Sequence, residues 1–170
     1  MFIHVQELLT RREPVALEGS LDVSGLFHDS RDIKALGPLE YRLTAQGIDG
    51  RITVSGELKC RIRHLCSRCL KPVDMDLAFP YEEYFRVMKE AGPEPDEEDD
   101  FVPVTEDKID LRPFLEAELV LNLPLAPLCD ENCKGICPEC GTNRNEQSCA
   151  CKAERIDPRL EALKNWFESQ

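Results

Sequence analysis

Eight of the nine cysteines in this 170-residue chain fall into four close pairs, and these pairs are the residues most suited to chemistry. Cysteine thiolates bind Zn²⁺ at about 2.3 Å, and a structural zinc site takes four such ligands in a tetrahedron. Eight paired cysteines are therefore enough for two four-sulfur zinc sites. The pairs are Cys66 and Cys69, Cys129 and Cys133, Cys137 and Cys140, and Cys149 and Cys151.

The most specific metal-binding signal is the segment GICPECG at 135–141. Two cysteines separated by two residues can hold one ion from a tight turn, and Gly141 permits a positive φ just after the second ligand. The next pair follows after a short polar loop, which could not form a hydrophobic core by itself, so a metal would substitute for one. The sequence thus predicts a zinc-ribbon-like site. Its expected ligands are Cys137, Cys140, Cys149 and Cys151.

A second zinc site is expected from the two remaining pairs. Cys66 and Cys69 lie in the turn C-S-R-C, and Cys129 and Cys133 follow the segment LPLAPLC. Spacing leaves three alternatives open. In the first, these four cysteines form one site. In the second, the C-S-R-C turn is a reduced turn with no ligand role, and a single site takes Cys129, Cys133, Cys137 and Cys140. In the third, C-S-R-C is a redox pair, although the strands predicted on both sides differ from a thioredoxin-like context.

Period-two alternation of apolar and polar residues dominates the first half of the chain and predicts antiparallel strands with one buried face. Cys60 lies in phase with the apolar positions of 52–62, so we expect it in the core rather than at a metal. Shorter segments near Ile3 and across 15–23 are expected to add strands to the same sheet. The fold class is therefore α+β, with a mostly antiparallel sheet that could be barrel-like.

Two helices are expected after the sheet. The first spans 110–122, with Asp110 as its cap and Pro124 beyond its end. The second closes the chain in the segment DPRLEALKNWF, which begins at Asp157. We therefore predict a β-rich domain over 1–124, with an acidic loop at 89–100, and a cysteine-rich zinc-ribbon-like module with the closing helix over 125–170.

The charge of the chain is unevenly distributed. Residues 81–118 carry four basic and fourteen acidic groups, which accounts for −10 of the net −12. The segment 51–71 has the opposite sign, with six basic residues against Glu57 alone. This segment can contact RNA phosphates or be an ordinary charged face, and the acidic stretch can be a solvated loop or a docking site for a basic protein. The residues expected to contact RNA or another partner are Arg61, Arg63, Arg68 and Lys71.

Several classes of protein are disfavoured by the sequence. No run approaches eighteen apolar residues and the first residues lack the pattern of a secretory signal, so we expect a cytoplasmic chain without a membrane span. Glycine-rich phosphate loops, G-x-S-x-G and H-E-x-x-H are absent from the sequence. A zinc ion with four sulfur ligands has no open position for water. We therefore expect a non-enzymatic protein with no small-molecule substrate.

Four segments in order give the chain a resemblance to the bacterial YceD family, the large ribosomal RNA subunit accumulation proteins. They are CSRCLKP, LNLPLAPLC, CKGICPECGTNRNEQSCAC and DPRLEAL. By position, Cys66, Arg68 and Cys69 match the family's C-x-R-C and Leu123–Pro124 its L-P element. Arg144 departs from the family, where an apolar residue is expected. Some members lack the segment from GICPECG to CAC, which implies a separable metal module.

The resemblance implies a role in the accumulation or maturation of large-subunit ribosomal RNA. With the residues, it leads us to expect a non-enzymatic factor that carries two structural Zn²⁺ ions and binds a ribosomal RNA precursor or a basic ribosomal protein of the large subunit. Two alternatives remain at this stage. One is a thiol- or zinc-based redox regulator, and the other is a chaperone for a basic ribosomal protein.

Overall fold

The computed structural model describes residues 1–11, 13–88 and 101–151, and strands are the commonest regular structure there. The helices are α1 (Val5–Arg11) and α2 (Arg112–Leu121), and a 3₁₀ turn spans Ser24–Phe27. The strands are β1 (Phe2–His4), β2 (Val15–Leu21), β3 (Ile33–Ala35), β4 (Leu39–Ile48), β5 (Arg51–Leu65), β6 (Pro72–Val87), β7 (Val102–Val104) and β8 (Lys108–Asp110). The class is α+β with a mostly antiparallel sheet, as predicted.

The chain divides into two compact units, which we call the sheet unit and the cysteine unit. The sheet unit comprises Met1–His64 and Val73–Leu125. The cysteine unit comprises Leu65–Pro72 and Ala126–Gln170, described as far as Cys151. The turn between β5 and β6 thus belongs with the C-terminal cysteines. The division into domains 1–124 and 125–170 stays a prediction.

The main sheet of the sheet unit has the order β2-β4-β5-β6-β7, with β3 pairing β5. The pairs β2/β4, β4/β5 and β3/β5 are antiparallel, and β6/β7 is parallel. Within the described residues the sheet is open, because its order begins at β2 and ends at β7 with no pairing between these two. The expected barrel-like closure is therefore wrong. Closure requires continuous pairing around the sheet, and β7 offers three residues for it.

The N-terminal strand β1 does not join the main sheet, which corrects the expectation for the segment near Ile3. It pairs antiparallel with β8 in a two-stranded ribbon, where Ile3 lies opposite Ile109. Both isoleucines are buried, so the ribbon places one apolar residue from each strand in the core. The second short segment does join the main sheet, as β2.

The apolar face of the main sheet is buried at the predicted positions. Along β5, the buried residues alternate with exposed or half-buried ones, and Cys60 is buried among them as expected. Helix α2 buries Leu115 and Leu119 in the same core. The helix begins at Arg112 rather than at 110, and its N-cap residue is Leu111 rather than the predicted Asp110. The Asp110 carboxylate, one residue before the N-cap, accepts the Arg112 N–H at 3.1 Å. The buried residues of β5 are Ile52, Val54, Leu58, Cys60 and Ile62.

Two expected features, the acidic loop at 89–100 and the closing helix that begins at Asp157, lie outside the described residues. In the part of the chain that is described, no helix has the length and apolar character that a membrane crossing requires.

Candidate metal centres and charged surfaces

The eight paired cysteines of the cysteine unit form two groups of four. Site A comprises Cys66, Cys69, Cys129 and Cys133, and site B comprises Cys137, Cys140, Cys149 and Cys151. Within each group all four sulfur atoms lie within 4.8 Å of one another. Of the partitions that the spacing left open, this is the one with two sites. The grouping of Cys129 and Cys133 with Cys137 and Cys140 is not formed.

The sulfur distances fit a four-coordinate ion and do not fit disulfides. In site A, the Sγ atoms of Cys66 and Cys133 are 3.8 Å apart, and those of Cys69 and Cys129 are 3.4 Å apart. Four sulfurs at about 2.3 Å from one ion lie about 3.8 Å from each other, whereas a disulfide bond is about 2.05 Å long. All nine cysteines belong to the described residues, and all are free thiols. Each site can therefore hold one tetrahedral metal ion.

The C-S-R-C and C-P-E-C turns have the same local structure. The residue after the second cysteine donates its N–H to the carbonyl of the first, from Leu70 to Cys66 and from Gly141 to Cys137, at 2.9 Å in both turns. That residue has a positive φ, 59° at Leu70 and 72° at Gly141. Glycine adopts this conformation freely and leucine does not. Gly141 indicated this conformation of the second turn in the sequence, whereas Leu70 gave no such indication for the first turn.

Hydrogen bonds from the backbone and between the thiols give the cysteines of each site different pKa values. Burial alone would raise the pKa of Cys66, but backbone N–H donors outweigh it and lower that pKa to about 6. Backbone donors likewise lower the pKa of Cys137 to about 6. The neighbouring site ligands raise the pKa of Cys129 to about 12 and that of Cys151 to about 12. Four thiolates this close need a cation to be ionised together, so the donor set fits a divalent metal.

The cysteine unit has no aliphatic core among its described residues. Its buried side chains there are those of four cysteines and Pro127, and Gly135 is buried with them. None of these residues belongs to the hydrophobic core cluster, which is built entirely from the sheet unit. The interior of the cysteine unit is therefore largely sulfur. The four buried cysteines are Cys66, Cys69, Cys133 and Cys137.

Two of the predicted RNA-contacting residues lie in the sheet unit, on the exposed face of β5. The guanidinium of Arg63 donates two hydrogen bonds to Asp74, at 2.6 and 2.8 Å, and these hydrogen bonds lower the pKa of the Asp74 carboxyl. Arg61 pairs with Asp76 at 3.6 Å. These surface pairs contribute little to stability, but an RNA phosphate would have to compete with a carboxylate at each arginine.

The other two predicted RNA-contacting residues lie in the cysteine unit and make internal contacts there. Arg68 donates from Nη1 to the carbonyl oxygen of Cys133 at 2.9 Å and to that of Glu131 at 3.4 Å. Lys71 pairs with Glu146 at 2.5 Å. Both cations therefore connect the C-S-R-C turn to the segments that carry the other cysteines.

A second basic surface, which the sequence interpretation missed, lies at the other end of β5. Arg51 and Arg86 line a depression of about 470 Å³ together with Tyr84 and Phe101. The guanidinium carbon of Arg86 is 5.1 Å from the centre of the Phe101 ring, within the range of a cation–π contact. Among the described residues, no carboxylate lies within ion-pair distance of either arginine. The alternation of Tyr84 and Arg86 on the exposed face of β6 was the signal available in the sequence.

Arg144, at a position where the family resemblance leads us to expect an apolar residue, lies beside site B. Its N–H donates to the carbonyl of Gly135 at 2.9 Å, and its Nη2 is 4.0 Å from the Sγ of Cys137. Thiols near its guanidinium raise the pKa of Arg144. A cation in this position offsets the negative charge that four thiolates bring to the site, which is the physical role we assign to the departure.

The described chain thus combines an open α+β sheet unit with a cysteine unit that carries two four-cysteine candidate metal sites. The family profile described as "Large ribosomal RNA subunit accumulation protein YceD" matches residues 54–166. The chain belongs to this family, as the sequence resemblance indicated.

Individual relatives extend the comparison. An uncharacterized protein of Mycobacterium tuberculosis is 32% identical over 126 residues, which cover 74% of this chain and 60% of the relative. YlbN of Bacillus subtilis is 27% identical over 158 residues, covering 89% of this chain and 87% of the relative. The maize "Large ribosomal RNA subunit accumulation protein YCED homolog 1, chloroplastic" is 34% identical over 67 residues, covering 39% of this chain and 22% of the relative. This chain thus spans 55–60% of the length of its mycobacterial relatives. No solved structure matches it.

Proposed function

We propose that this protein is a non-enzymatic factor that supports accumulation of large-subunit ribosomal RNA and carries one structural Zn²⁺ ion in each four-cysteine site. Family membership and the names of its plant relatives support the ribosomal role. The zinc proposal depends chiefly on the sulfur interior of the cysteine unit. Zinc would supply there the cohesion that an aliphatic core supplies elsewhere.

The donor set also favours a structural role over catalysis. Four cysteines in each site complete the tetrahedron of a zinc ion, so a bound ion keeps no position for water or substrate. The residues of the unit that approach the sulfurs, such as Arg144 and Asn145, donate hydrogen bonds or positive charge to them. These contacts hold and orient the thiolates, which is the usual task of groups around a structural metal.

We further propose that the direct partner is a single-stranded part of the ribosomal RNA precursor, which binds at the depression lined by Arg51 and Arg86. Cations beside exposed aromatic rings can bind phosphates and stack on bases at the same time. Tyr84 is 43% exposed there, and Phe101 lies against Arg86. The stripe of Arg61 and Arg63 is a weaker candidate because both arginines already face carboxylates.

Complementation tests the ribosomal role and site A together. In a bacterial strain that lacks its own family member, we expect this chain to restore the ratio of large- to small-subunit ribosomal RNA. The double substitution Cys66→Ser with Cys69→Ser should fail to restore it, because two of the four ligands of site A are lost. The matched control is Cys60→Ala, which removes a buried thiol outside both sites and should restore the ratio. An unchanged ratio in the deletion strain would contradict the ribosomal role.

RNA binding can be tested at the depression itself. Substituting Arg51→Ala with Arg86→Ala should weaken binding to a single-stranded fragment of large-subunit ribosomal RNA. The slope of log affinity against log salt should also become shallower, by about 0.7 for each lost phosphate contact. Fluorescence anisotropy over a salt series measures both quantities.

The control for RNA binding is Arg42→Ala, which removes an exposed strand arginine that pairs with Glu18. Equal salt slopes for the double variant and the wild type would contradict RNA contact at this surface. Co-purification of a basic ribosomal protein in place of RNA would favour the chaperone alternative. A reversible disulfide between Cys66 and Cys69, formed as metal is released, would favour the redox regulator.

A further inference from the structure

The loop that site B closes makes a direct contact with site A. We call residues 141–148 the site B loop. Within it, Asn145 donates from Nδ2 to the Sγ of Cys133 at 3.3 Å and accepts the N–H of Lys134 on Oδ1 at 2.7 Å. The Lys134 N–H is a donor, so it must face the amide oxygen, and the NH₂ group of Asn145 then faces the sulfur. One side chain of the site B loop thus holds Cys133, a cysteine of site A, and the backbone of the next residue, Lys134.

The Asn145 amide is held in place by its own loop. Asn143 accepts both the backbone N–H and the Nδ2 group of Asn145 on its Oδ1, at 3.0 and 2.9 Å. Asn143 in turn donates from Nδ2 to Glu146 at 3.2 Å. Both hydrogens of Asn145 Nδ2 are therefore used, one inside the loop and one on the sulfur. A donor fixed in this way orients a metal ligand better than one that must be ordered on binding.

Backbone pairing connects this contact to site B. The N–H of the site B ligand Cys137 donates to the carbonyl of Thr142 at 2.8 Å, and the N–H of Arg144 donates to the carbonyl of Gly135 at 2.9 Å. These bonds make a short ribbon that runs from Cys137 back toward Cys133. Asn145 therefore contacts site A from the same loop that joins the two cysteine pairs of site B.

We propose that Asn145 is a positioning residue that couples the two sites, so that site A holds its metal tightly only while site B holds the loop folded. The coupling rests on the proposed zinc occupancy of both sites. Coupling of binding free energies is reciprocal, so loading of site A should also raise the metal affinity of site B. Hydrogen bonds to metal ligands typically change metal affinity by about 10- to 100-fold, which sets the size of the effect expected at site A.

Site-resolved alkylation of the full-length, zinc-loaded protein tests the coupling. In the presence of a chelator, mass spectrometry follows alkylation at the cysteines of each site separately. Asn145→Ala should speed alkylation of the site A cysteines about tenfold or more. Asn145→Asp should do the same, since a carboxylate can still accept the Lys134 N–H but cannot donate to sulfur. Removing site B by Cys149→Ser with Cys151→Ser should also speed metal loss from site A.

The matched control is Gln147→Ala, an exposed polar position of the same loop whose backbone N–H bond to the Asn143 carbonyl is kept. This variant should alkylate like the wild type. Site A alkylation at the wild-type rate in both Asn145 variants would overturn the coupling while leaving the zinc proposal intact. A wild-type protein that binds fewer than two metal ions by native mass spectrometry would overturn both proposals.

Discussion

Removal of metal by a strong chelator should unfold the cysteine unit and leave the sheet unit folded. The buried side chains of the described cysteine unit are sulfurs and one proline, so without an ion it retains no apolar interior. Structural zinc sites contribute about 10–16 kcal/mol of apparent binding free energy at neutral pH, and in such units that energy is folding free energy. The sheet unit has its own core, drawn from β-strands and both helices.

Amide hydrogen exchange measures the two units at once. The N–H groups of Leu70 and Gly141, which bond to cysteine carbonyls in the two turns, should lose their protection when the chelator is added. The amides paired between β4 and β5 should keep theirs. Cys60→Ala serves as the control, because this variant should bind the wild-type amount of metal and respond to the chelator in the same way. Protected Leu70 and Gly141 amides in metal-free protein would contradict the structural role of the metal.

The strands and the buried face of the sheet could be predicted because they depend on local periodicity. Along β5, apolar residues at every second position specify which face is buried, whatever the order of the strands. Strand order is a long-range property, and the sequence near Ile3 carries no signal that distinguishes pairing with β8 from pairing with the main sheet. For the same reason, the sequence does not predict that the main sheet ends at β7 and stays open.

The thiol pairs could be predicted from spacing, but their grouping could not. Two pairs 60 or more residues apart, such as those of Cys69 and Cys129, meet only because the β5–β6 turn lies within the cysteine unit. Hydrogen bonds such as that from Asn145 to Cys133 depend on the path of a polar loop, and loop composition alone does not specify that path. Likewise, a count of basic residues does not reveal that Arg63 faces Asp74, eleven residues away in sequence.

The contrast between the units has a functional consequence. In the cysteine unit, the candidate partner-binding cations Arg68 and Lys71 bond to the Cys133 carbonyl and to Glu146. Substituting them would therefore disturb the fold of this unit as well as any contact with RNA. In the sheet unit, Arg51 and Arg86 lie on a face whose support is an ordinary apolar core. A loss of the proposed RNA binding in variants of these arginines can therefore be separated from a loss of folding.

Leu115→Ala should lower the free energy of unfolding of the sheet unit by about 2–5 kcal/mol, since truncating a fully buried leucine removes its transfer free energy and leaves a cavity. Leu115 is 0% exposed in the core that α2 forms with the sheet. The residue just before it, Phe114, packs edge-on against Phe85 with ring centres 5.2 Å apart.

Leu121→Ala is the matched control, with the same change of side chain in the same helix at a position that is 78% exposed. Because little apolar area is buried there, its unfolding free energy should stay within about 0.5 kcal/mol of the wild type. Urea denaturation of the zinc-loaded protein, monitored by hydrogen exchange of the β4 and β5 amides, gives the unfolding free energies of both variants. Equal losses for the two leucines would show that α2 does not pack on the sheet as described. A loss at Leu115 alone, with metal content unchanged, is the result expected if the sheet unit is stabilised by its apolar core and the cysteine unit by its thiolates.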